Sequence, residues 1–69
     1  MRKRYKKSIT EVLAENGNRM KKKQLKGKVV QLSSQYDKRE DDVRKEMFEK
    51  YLSKVKDVVV GKKYVIIVE

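Results

Sequence analysis

Cysteine and histidine are both absent from the 69 residues. Disulfides, thiolate or imidazole metal sites, and Ser/His/Asp or Cys/His catalysis are thereby excluded. Proline is absent too, and the three glycines stand apart as Gly17, Gly27 and Gly61. Isolated glycines make neither a phosphate-cradling loop nor a dinucleotide fingerprint. Long apolar runs are missing: the longest are Val58-Val59-Val60 and Tyr64-Val65-Ile66-Ile67-Val68, far short of the ~20 residues of a membrane span. No such run follows the basic start of the chain, so it does not read as a secretory signal. The carboxylates Asp37, Glu40, Asp41 and Asp42 lack the spacing and turn glycine of a calcium loop, and helix capping accounts for Asp37, Asp41 and Asp42. Glu46 and Glu49 read as solvated helix-face charges. The expectation is a single non-catalytic domain, monomeric and off the membrane, with no cofactor and no metal.

What the chain has in excess is positive charge: 20 Lys/Arg against 10 Asp/Glu, a net +10. The excess is one-sided. Residues 1–36 hold 11 basic residues and two acids, a net +9, whereas residues 37–69 carry 9 basic and 8 acidic residues, a net +1. A field so lopsided attracts and orients polyanions.

Ser8-Ile9-Thr10-Glu11 has the form of a capping box, and Ile9, Val12 and Leu13 repeat at helical spacing up to Gly17, a residue suited to ending a helix. A first helix is therefore expected over about 9–16, preceded by a disordered basic arm at 1–7, with the folded domain at 8–69. Leu25, Val29, Leu32 and Tyr36 mark a second helix from about 22 to 35. Gly27 lies opposite that stripe, where it is tolerated at some cost in stability. Asp37 is positioned to cap a third helix running to about 54, with Val43, Met47, Tyr51 and Val55 on one face and Phe48 and Leu52 widening it. Lysines follow in its last turns, and Glu46–Lys50 is a favourable i,i+4 pair. After Asp57 the pattern changes to β-branched strands around Gly61-Lys62-Lys63, a hairpin signal. The second of these strands has little polar alternation, so both of its faces are expected to be partly covered. The class is α+β, with three helices followed by a C-terminal β-hairpin. That is the order of a winged helix, with the hairpin as wing and residues near Met20 able to add a short third strand.

Three stretches carry a family likeness: Lys7-Ser8-Ile9-Thr10-Glu11-Val12-Leu13, Met20-Lys21-Lys22-Lys23-Gln24-Leu25-Lys26-Gly27-Lys28-Val29, and the closing Tyr64-Val65-Ile66-Ile67-Val68. With Gln35-Tyr36 and Phe48-Glu49-Lys50, they resemble the C-terminal winged-helix domain of the cell growth-regulating nucleolar protein (LYAR) family, over residues 7–69. The resemblance implies a nuclear, nucleolar protein linked to ribosomal RNA processing and to binding DNA or RNA. That family's zinc fingers lie N-terminal to this region, and without Cys or His no zinc-binding role carries over.

The candidate nucleic-acid-binding set is Arg2, Lys3, Arg4, Lys6 and Lys7 in the N-terminal arm, and Lys21, Lys22, Lys23, Lys26 and Lys28 around the second helix. Lys23 and Lys26 flank one edge of the apolar stripe, Lys21 and Lys28 the other, where methylene stems cover the core and ammonium groups face phosphates. Tyr5 is the aromatic residue best suited to stacking on a base, Tyr64 is ambiguous, and Tyr36, Phe48 and Tyr51 fall on core stripes. The third helix opens on Glu40, Asp41 and Asp42, which argues against its insertion into a major groove. The expected partner is RNA or DNA, held mainly through its phosphate backbone. The alternative is a protein-interaction module, which either grips an acidic protein partner with the basic half or docks on a partner through the apolar hairpin.

Overall fold

The computed structural model describes residues 2–68, with side chains from residue 3. The chain runs α1 (Arg2–Glu15), β1 (Arg19–Lys21), α2 (Lys22–Ser33), α3 (Asp41–Leu52), β2 (Val58–Val60) and β3 (Tyr64–Ile67). The expected three helices and hairpin are present, and the short strand at Met20 completes an antiparallel sheet of order β1-β3-β2.

α1 begins at Arg2, well ahead of the expected start near residue 9. Arg and Lys are good helix formers, and Tyr5 lies one turn before Ile9. Tyr5, Ile9, Val12 and Leu13 therefore form a single buried stripe at i, i+4, i+7 and i+8. Burying Tyr5 draws residues 2–7 into the helix, so those described here are part of the folded unit and not an arm ahead of it. Ser8 is then mid-helix and does not cap; its hydroxyl lies 3.0 Å from the Tyr36 hydroxyl. The helix ends as a Schellman motif: the Asn18 N–H donates to the Leu13 carbonyl at 2.8 Å and the Gly17 N–H to that of Ala14 at 3.4 Å. The motif needs a left-handed residue after the helix, and Gly17 supplies it at φ 77°, followed by Asn18 at φ 64°.

β3 is the central strand, pairing Met20 and Val60 on either side of Val65. Val65 is fully buried and meets the helices, and α1 packs on α2, α3 and β3. Tyr5, Ile9, Leu13, Leu25, Val29, Phe48 and Val65 are the fully enclosed apolar residues of the core. Tyr51 is also buried, and Leu32, Met47 and Ile67 pack half-buried against the same cluster. α3 turns Phe48, Tyr51 and Leu52 inward and leaves Val43 and Met47 half-buried, a rotation that encloses the larger aromatic surface.

Two other expectations are corrected. Asp37 does not cap α3: Glu40 holds the N-cap position without a side-chain hydrogen bond, and Asp37 is buried against Tyr5 of α1. The outer face of the hairpin is not covered, since Val59, Ile66 and Val68 are all exposed. No helix among the described residues is long and apolar enough to cross a membrane.

Candidate nucleic-acid interface

β1 passes directly into α2, with Lys21 still extended (φ −65°, ψ 137°) and Lys22 already helical. The direction of Lys21 is therefore set by the strand. Lys23 and Lys26 share a helix face by their i,i+3 spacing. The β2–β3 turn comes up beside them, because the Lys22 N–H donates to the Lys63 carbonyl at 2.7 Å. That turn is closed by the Gly61 N–H donating to the Tyr64 carbonyl at 2.8 Å. Gly61 suits the position, since a Cβ there would lie 3.2 Å from the same carbonyl oxygen.

These elements enclose an open cavity of about 450 Å³ whose walls include Lys21, Lys22, Lys23, Lys26, Lys62 and Lys63. Glu49 and Tyr64 complete the lining. Glu49 accepts from Lys26 Nζ at 3.2 Å, so one carboxylate answers one of six ammonium groups. α2 has no acidic residue in its first turn and no side-chain N-cap, which leaves the positive end of its dipole beside the lysines. Like charges gathered in this way repel one another, and an anion with several oxygens relieves that repulsion. Tyr64 is 36% exposed, with the Arg19 guanidinium 4.4 Å from its ring centre.

Among the described side chains, the other expected basic positions do not line this cavity. The Arg2 side chain is outside the described residues. Lys3 is exposed and Lys6 half-buried on α1. Arg4 lies over the Tyr36 ring at 5.8 Å, and Arg4 and Lys7 border a shallow cleft with Gln35 and Tyr36. Lys7 is also 3.8 Å from Glu11. This second basic patch sits at the far end of α2, a helix of 12 residues and so roughly 18 Å long. Lys28 borders a different cleft with Glu11 and Glu15, away from Lys21, although the two were expected to flank the same edge. The ten expected positions thus divide into a cavity cluster of four, the α1 group and a separate Lys28.

Tyr5 is not available to stack on a base. It is fully buried, edge-on to Tyr36 at 5.3 Å, and donates its hydroxyl to Asp37 at 2.6 Å. On α3, Asp41 and Asp42 are exposed in the first turn. Arg44 is turned inward, donating to the Val30 carbonyl at 2.7 Å and to Asp41, which removes it from the cations offered to a ligand. Among the described residues, no cluster of three or more Asp or Glu is placed to hold a metal ion.

Lys62, Lys63 and Tyr64 belong to the cavity but were not singled out as binding residues from sequence. Their signal was present: a basic dipeptide at the tip of a hairpin, followed by an aromatic. Its meaning depended on the β1–β3 pairing that sets Lys21 opposite Tyr64.

A family model described as the LYAR family winged helix domain matches residues 3–69, essentially the whole chain. No curated protein and no solved structure matches it.

Proposed function

The chain belongs to the LYAR family through its winged helix domain, and on that premise we propose that it is a non-catalytic module that grips the phosphate backbone of nucleic acid. The β2–β3 hairpin serves as the wing, and the module works in the nucleus as an accessory of nucleolar RNA processing. The observation that carries this reading is the gathering of six lysines around one cavity, four from the β1–α2 junction and two from the hairpin turn. Ammonium groups take phosphate oxygens as point charges and read no base. The acidic front of α3 and the inward turn of Arg44 argue against a reader helix in a major groove. The basic start of α1 offers a second phosphate contact at the opposite end of α2.

The test is a salt titration of binding to several unrelated sequences. Replacing Lys21, Lys23, Lys62 and Lys63 together with Gln is expected to weaken binding to all of them alike. It should make the dependence of log affinity on log salt shallower by about 2–4, close to one unit for each phosphate that is no longer neutralised. An unchanged salt slope in that variant overturns the reading.

A second reading, docking of a protein on the hairpin, is favoured by the exposed Val59, Ile66 and Val68, since contiguous apolar surface marks interaction sites. It predicts binding that salt barely affects and that Val59→Ser abolishes.

A further inference from the structure

We propose that the lysine cavity holds one unpaired nucleotide, with its base stacked against Tyr64, so that the domain prefers single-stranded to duplex nucleic acid. The inference rests on the phosphate-binding reading above and adds a class of ligand to it.

Tyr64 is the one aromatic among the cavity's lining residues. The other rings are committed elsewhere: Tyr5 and Phe48 are fully enclosed, Tyr51 is buried in the core, and Tyr36 is half-buried under Arg4. Tyr64 alone combines an exposed ring with a border of ammonium groups. Arg19 lies over the ring at 4.4 Å and is not among the residues that line the cavity. The β1–β3 pairing fixes the backbone position of Tyr64 opposite Lys21, and the cation–π contact restrains its ring before any ligand arrives, which lowers the ordering cost of binding.

A ring set among cations matches the two halves of a nucleotide: a flat π-surface for the base and ammonium groups for the phosphates on either side of it. Sequence-tolerant binding of single strands uses this combination. A base inside a duplex has both faces covered by its neighbours and cannot use Tyr64, so a duplex engages the lysines alone. The cavity, at about 450 Å³, is in the size range of sites for single small ligands, roughly 300–1,000 Å³. Glu49 on its wall repels phosphate, but its pairing with Lys26 at 3.2 Å offsets that charge.

The experiment compares single-stranded RNA, single-stranded DNA and the two matching duplexes of equal length by fluorescence anisotropy at low salt. Both single strands are expected to bind more tightly than either duplex, and a difference between the two single strands identifies RNA or DNA as the better source of the nucleotide. Tyr64→Ala should cut single-strand affinity at least about 5-fold more than duplex affinity, in line with the loss of one stacked base; Tyr64→Phe should keep the preference. The chain has no Trp, so Tyr64→Trp gives a fluorophore at this site alone, independent of any folding defect of the Ala variant. Its emission should be quenched by a single strand and not by a duplex. Equal affinity for strand and duplex, or single-strand binding without quenching, overturns the inference. If those results coincide with a salt slope that the four lysine replacements reduce, the phosphate-binding reading survives and only the stacking fails.

Discussion

Asp37 is a carboxylate only 1% exposed. It accepts from Tyr5 at 2.6 Å and from Arg39 Nε and Nη2 at 2.8 Å each. The Arg39 guanidinium holds its carboxyl well below the usual range, against burial, which pushes the other way, and the Tyr5 hydroxyl adds to the lowering. Tyr5 is pushed up to about 12, first by burial and then by its bond to Asp37. Both shifts make stability depend on pH, in opposite limbs. The fold favours ionised Asp37, so that contribution is complete above the unfolded value of about 3.9 and is lost as pH falls below it. The fold also favours neutral Tyr5, so that contribution is complete below the unfolded value of about 10 and is lost as pH rises through about 12. Thermal melts of Asp37→Asn are expected to fall less between pH 7 and pH 2.5 than those of the unaltered protein. Those of Tyr5→Phe should fall less between pH 9 and pH 12. At neutral pH, Asp37→Asn should cost on the order of 1–3 kcal/mol, because a charged acceptor is removed from a buried network. A melt at neutral pH indistinguishable from the unaltered protein would contradict the network.

At the scale of elements, two glycines make opposite predictions for the same substitution. Gly27 is exposed within α2, and a Cβ there meets nothing within 4 Å. Gly27→Ala should therefore stabilise by about 0.5–1 kcal/mol through helix propensity and a less flexible unfolded chain. Gly17 sits at φ 77° in the cap of α1, where Ala is disfavoured by about 1–2 kcal/mol. In a domain of this size, 1 kcal/mol moves the melting temperature by roughly 4–8 °C, so calorimetry should show Gly27→Ala rising and Gly17→Ala falling. The order of elements was legible in the sequence because apolar spacing and the switch to β-branched residues after Asp57 agree with local turn chemistry. The start of α1 was not. Six residues dominated by Arg and Lys look like a tail until Tyr5 is counted with Ile9, and the partners that bury Tyr5, Tyr36 and Asp37, lie about 30 residues away. Ser8 and Asp37 misled for the same reason: each has the composition of a cap, and each is claimed by a long-range hydrogen bond that no local pattern reveals.

At the scale of the whole molecule, the charge asymmetry of +9 against +1 was legible from composition alone, and Lys21, Lys22, Lys23 and Lys26 do meet around one cavity. The contribution of Lys62 and Lys63 was not legible. These residues lie in the half of the chain that is nearly neutral and join the cavity only because β3 pairs with β1. Neutralising the acidic front of α3 provides a contrast. Asp41 and Asp42 together changed to Asn should leave nucleic-acid affinity unchanged or slightly higher, and should cost a few tenths to about 1 kcal/mol each in helix-dipole stabilisation. The measurement that bears most directly on the central claim is an NMR titration of the protein with a short single-stranded oligonucleotide at low salt, following backbone amides. The largest perturbations are expected at residues 21–23 and 62–64, on both sides of the lysine cavity. Perturbations centred instead on residues 41–45 of α3, or on the outer hairpin face at Val59 and Ile66, would contradict it.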